Sequence, residues 1–151
     1  MFVHPRKLLL ARLEAEGLEF RIQFDEVQQV LLITMGTVIT EDSVSATRSA
    51  VRLFLKAKDS KSVIADLSQV RHIEVSNDFV WDIAARPPAL VTGRPCVLVA
   101  PKDATYGMSR MFQIIRNTPK LEVVHSMKEA LELLGLKALS FEHNALKLAH
   151  G

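Results

Sequence analysis

The chain has 151 residues, 48% of them hydrophobic and 24% charged, which is the size and composition of an ordinary globular domain. That balance excludes a disordered chain, a collagen-like fibre and a low-complexity linker. Nineteen Lys and Arg against seventeen Asp and Glu leave a formal charge of +2, too small to imply nucleic acid as a partner.

The fully apolar runs are short, such as Leu8 to Ala11, Val30 to Ile33 and Cys96 to Ala100. A membrane span needs about 20 such residues, so none is expected. Cys96 is the one cysteine, which excludes an internal disulfide framework and suits a reducing compartment. The opening residues, Met1 to Lys7, lack an apolar stretch followed by a small-residue cleavage site, so they do not read as a secretory signal. A cytoplasmic location is the expectation.

In chain order, residues 5–16 place Leu8, Leu9, Ala11, Leu13 and Ala15 among charges, which predicts a short helix. From Glu19 to Asp25, apolar Phe20, Ile22 and Phe24 alternate with polar partners. That period of two predicts a half-buried strand. Val30 to Met35 reads as a second, more continuous strand, with Glu26 to Gln29 as the hairpin turn and Gly36 as a bulge or strand end.

Thr40 then opens a helix, its side chain suited to an orphan backbone N–H, with Glu41 and Asp42 against the positive end of the helix dipole. Val44, Thr47, Val51, Phe54 and Leu55 fall on one face; Arg48, Arg52, Lys56 and Lys58 are assigned elsewhere. The Lys-rich ending and Asp59-Ser60 fit its C-terminus. Ser62 to Leu67 reads as a buried strand, and Ser76 starts a helix that Pro87-Pro88 stops.

Pro95 to Ala100 is the next inner strand, Asp103 to Asn117 a helix bounded by Pro101 and Pro119, and Leu121 to His125 a short strand. Ser126-Met127-Lys128-Glu129 has the form of a capping box, the Ser receiving the N3 amide and the Glu reaching back to the N-cap amide. The helix it opens ends at Gly135. Leu136 to Gly151 has enough apolar surface for an amphipathic helix, which pads its own domain or docks on a second copy. Strands alternating with helices predict right-handed crossovers and a largely parallel inner sheet. The class is α/β.

Gly36-Thr37-Val38-Ile39-Thr40-Glu41-Asp42, followed by Ile64-Ala65-Asp66-Leu67-Ser68-Gln69-Val70, resembles the STAS-like family. Its members are anti-sigma-factor antagonists and related bacterial regulators, and more specifically the chain resembles the small bacterial sporulation-antagonist-like, or STAS-and-CRAL-TRIO-like, proteins. Val99 to Pro101, Tyr106 to Phe112 and Val124 to Leu131 support the resemblance, which spans roughly residues 19–135. It implies a STAS-like layered fold: a mixed, mostly parallel sheet opened by an antiparallel hairpin, with helices packed on it. The expected organisation is one domain over 1–151, its core flanked by the 5–16 helix and the 136–151 tail.

Regulatory members carry an Asp-Leu-Ser-x-Val segment and then Asp-Ser-Ser-Gly, one Ser of which a partner kinase phosphorylates. Those four positions correspond here to Glu74-Val75-Ser76-Asn77. The acid and one Ser survive; the first Ser and the Gly do not. Ser76 is thus a candidate phosphorylation site, where phosphate would meet free N–H groups at a helix start, and its plainer role is an N-cap.

Other candidates for a ligand or partner surface are Asp66, Ser68, Trp81, Arg86, Tyr106, Met108 and Arg110. Asp66 ends an inner strand, where the carboxyl ends of parallel strands form the usual crevice; its structural role is to bind loop amides. Ser68 reads as a turn residue. Trp81 and Tyr106 each join an apolar body to a polar handle, and Met108 belongs to a pliable stripe with Met111 and Phe112 that core packing also explains. Arg86 and Arg110 belong to a segment, Arg86 to Lys120, with six basic residues and one acid, Asp103, a net of +5. Such an excess suits an anion, although Arg86 also stands four residues after Asp82 as a helix pair.

His4, His72, His125, His143 and His150 show no ligand spacing, and with one cysteine no metal site is expected. No phosphate loop, dinucleotide fingerprint, nucleophile elbow or H-E-x-x-H motif occurs. The reading is therefore a non-enzymatic regulatory or protein-interaction domain without a cofactor, acting on a protein partner or by self-association as a homodimer. The alternative is a small carrier or sensor of an apolar or anionic ligand.

Overall fold

The structure, a computed structural model, describes residues 20–86 and 94–141. The predicted helix at 5–16, the Pro87-Pro88 stop and the tail beyond 141 lie outside those residues. Strands β1 (Phe20–Asp25) and β2 (Val30–Met35) form the expected hairpin, closed by a turn in which Gln29 takes a positive φ of 55°. The short β3 (Val38–Thr40) leads into α1 (Glu41–Ala57). Next come β4 (Ser62–Asp66), β5 (His72–Glu74), α2 (Asn77–Ala85), β6 (Cys96–Val99), α3 (Asp103–Arg116), β7 (Leu121–Val124) and α4 (Met127–Leu134).

The main sheet has the order β1-β2-β4-β6-β7, with β1 antiparallel to β2 and every other pair parallel. β3 and β5 pair separately as a two-stranded parallel ribbon, which the sequence reading did not contain.

Helix starts follow local chemistry. Thr40 accepts from the Ser43 amide at 3.0 Å while Ser43 Oγ accepts from the Thr40 amide at 2.9 Å, a reciprocal cap. Ser126 accepts from the Glu129 amide at 3.1 Å, but the Glu129 carboxylate takes the His125 amide at 3.1 Å instead of the N-cap amide. The expected box is thus displaced by one residue on its acidic side. Gly135 ends α4 with φ 67°, a left-handed position that glycine adopts without a steric penalty.

Alternation along the strands divides the apolar residues between the two faces of the sheet. On one face, Phe20, Ile22 and Phe24 join Leu31, Ile33, Met35 and Val63 beneath α1, whose Ala50, Val51 and Phe54 are buried there. On the other, Val30, Leu32, Ile64, Val97 and Val99 pack with Ala130 of α4 and with Leu136, Leu139 and Phe141. Residues 136–141, the described part of the expected amphipathic tail, are not helical. Their backbone is engaged elsewhere: Gln28 Oε1 accepts from the Lys137 amide and Asp25 Oδ2 from the Ser140 amide, both at 2.9 Å. They form a strap across the hairpin turn.

Cys96 is partly shielded as a residue, but its side chain belongs to the core around Val63 and Leu31. Desolvation pushes the thiol up to about 12. Since the thiolate is the reactive form, an Ellman titration of the native protein at pH 8 is expected to show negligible reaction. Rapid, stoichiometric labelling before unfolding would contradict this placement.

Candidate functional site

Five strands meet in one cross-sheet row, Ile22, Ile33, Ala65, Leu98 and Val123, paired in that order. Ala65 at its centre is small between the larger Ile33 and Leu98, so the sheet surface is hollowed there. Above the hollow lies a cavity of about 200 Å³. Met35 and Leu67 extend its floor, while Val44, Thr47 and Arg48 of α1 form one wall. Phe79, Val80 and Ile83 of α2 and Met108, Ser109 and Phe112 of α3 complete it.

Helix spacing explains which residues face inward. Val44, Thr47, Arg48 and Val51 lie three and four apart on α1, and Thr105, Met108, Ser109 and Phe112 do so on α3. Arg48 therefore lines the cavity, contrary to its expected place away from the apolar stripe. It is half-buried. Desolvation, and then the charges of Arg52, Arg116 and Arg86, lower its pKa from the ordinary arginine value. Ser109 is 1% exposed, and its Oγ has no hydrogen-bond partner among the described residues.

The basic groups around this wall are held by local bonds. Arg86 pairs with Asp82 at 2.6 Å across one helical turn, as the i,i+4 spacing implies. Arg116 donates to the carbonyls of Ala84 (2.9 Å) and Arg86, tying the end of α3 to the end of α2.

Of the sequence-nominated residues, Met108 alone lines this cavity. Ser76 caps the helix that forms its α2 wall, accepting from the Phe79 amide at 3.1 Å. Trp81, on the same helix, points outward and is 58% exposed. Asp66 Oδ1 accepts from the Ser68 amide at 2.9 Å beyond the end of β4, the loop-binding role considered for it. Tyr106 stacks on His125 with ring centroids 4.1 Å apart and planes 8° apart. Arg110 is exposed and bonded to Gln113. Trp81, Tyr106 and Met108 therefore do not share one site.

Arg48 and Ser109 were missed. The signal was present in the heptad-like spacing, because each is a polar residue set within an inward apolar stripe.

No known protein family and no curated protein matches the chain by sequence. Among the described residues no helix is long and apolar enough to cross a membrane. A search of solved structures returns the anti-sigma factor antagonist SpoIIAA in its unphosphorylated form, at 14% identity and a TM-score of 0.52. The match covers 80% of this chain and all of that one. The mixed sheet, its single antiparallel pair and the helices on its two faces are those of a STAS-like fold.

Proposed function

We propose that the chain is a single, non-enzymatic STAS-like regulatory domain of a bacterial cytoplasm, acting by contact with a protein partner or a second copy of itself. The fold similarity to an anti-sigma factor antagonist supports this reading. Exposed Trp81 on α2 carries it to a surface, since an exposed Trp is among the residue types most favoured at interface centres. In the same reading Ser76, exposed at the start of α2, is the modification point. A phosphate there would lie against the positive end of the helix.

The test is a photo-crosslinking residue at position 81, followed by reconstitution with the purified captured protein. Trp81→Ala is expected to weaken that complex by about 2 kcal/mol or more. An unchanged affinity would remove the α2 surface from the proposal. Sedimentation of the protein alone distinguishes a captured second copy from a different partner.

A second reading, as a carrier or sensor of an apolar or anionic molecule, is favoured by a separate observation. The cavity over Ala65 is walled almost wholly by apolar side chains, yet contains Arg48 and the unpartnered hydroxyl of Ser109.

A further inference from the structure

We propose that the cavity between the sheet and α1–α3 binds a small amphiphilic monocarboxylate, with the carboxylate at Arg48 and the aliphatic part over Ala65. This deepens the carrier reading and rests on it. Size comes first. An apolar cavity of about 150 Å³ suffices for a benzene-sized guest, and this one is about 200 Å³, matching a medium-length aliphatic chain. The floor has no polar group to satisfy: Ile33, Ala65 and Leu98 are all apolar.

Charge decides the head group. Arg48 lines the cavity and feels Arg52, Arg86 and Arg116. Arg86 is itself paired with Asp82. A positive field inside a low-dielectric wall favours an anion and opposes a cation. A guanidinium in a mostly apolar lining suits one carboxylate, to which it can give a charge-assisted hydrogen bond.

Ser109 supplies the second, independent observation. A hydroxyl that is 1% exposed and has no partner among the described residues carries a desolvation cost unless it finds a bond. Met108, Ser109 and Phe112 lie along one α3 face on the cavity, so Ser109 is placed to bond an oxygen of the guest.

The experiment is titration calorimetry of the full chain with three probes of equal length: octanoate, octanol and octylammonium. Octanoate is expected to bind at least about tenfold more tightly than either other probe, from one charge-assisted hydrogen-bonded contact. Arg48→Met should remove that preference, bringing octanoate to the level of octanol on the same variant, and Ala65→Leu, which fills the floor, should abolish binding of all three. Equal or tighter binding of octylammonium would overturn the carboxylate assignment but leave the carrier reading standing. Binding of none of the probes by the folded wild-type protein would overturn both. Octanoate binding that survives Ala65→Leu would place it outside this cavity and overturn the proposal. The wild-type comparison among probes needs no variant, so a failure of Arg48→Met to fold leaves the test decisive.

Discussion

Phe54→Ala is expected to cost about 3–5 kcal/mol of folding stability, the range for truncating a buried aromatic. Phe54 is 2% exposed on the inward face of α1. Its ring lies 5.4 Å from that of Phe24 at a tilt of 48°, an arrangement that contributes beyond area burial alone. Removing it leaves a void between the helix and the hairpin, against which neither backbone can readily collapse. Leu53, the next residue back, is 45% exposed, and Leu53→Ala should change stability by no more than about 0.5–1 kcal/mol. Urea unfolding of both variants checks the contrast. Equal losses would mean that α1 does not present this face to the sheet.

Asp25→Ala is expected to lower stability at neutral pH by about 2–3 kcal/mol, as three part-buried hydrogen bonds lose their charged acceptor. Asp25 is 1% exposed. Its carboxylate accepts from the Gln28 amide at 2.9 Å, the Gln28 side chain at 3.2 Å and the Ser140 amide at 2.9 Å. Burial on its own raises the pKa, but the bonds from Gln28, Ser140 and Val27 outweigh it and leave the group below its ordinary value of 3.8.

A folded-state pKa depressed in this way adds stability above the unfolded value, and the contribution is lost as pH falls through the folded one. The gap between wild type and Asp25→Ala should therefore be full at pH 7 and shrink as pH falls below 3.8. A constant gap down to strong acid would show that the carboxylate's charge is not what holds the strap. Hydrogen exchange supplies the local readout, with faster exchange of the Lys137 and Ser140 amides in the variant.

The hairpin was legible because Phe20, Ile22 and Phe24 alternate over a length that shows the period. Thr40, Ser76 and Ser126 announced their helices through side-chain oxygens that satisfy orphan amides. The ribbon of Val38–Thr40 and His72–Glu74 was not legible, since three residues hold barely one period of alternation. Asp25 and Ser140 are 115 residues apart, and no local pattern records such a contact.

The candidate site was partly legible. Met108 was named for its pliability and does line the cavity, whereas Tyr106, two residues earlier, turns to His125 because successive helix positions rotate by about 100°. Arg48 and Ser109 escaped notice because polar residues are most often exposed. Their meaning came from three-dimensional neighbours.

The strand order β1-β2-β4-β6-β7 has a consequence for assembly. Each strand of the main sheet adds to the outer edge left by the one before it, so no strand must be threaded between two already paired. A chain emerging from a ribosome can extend this sheet in the order of synthesis, each parallel strand following its predecessor through a crossover that contains a helix. The strap is the exception: its bond from Ser140 to Asp25 waits until the whole sheet has been made. That contact is therefore a late seal on a sheet otherwise built from one side to the other.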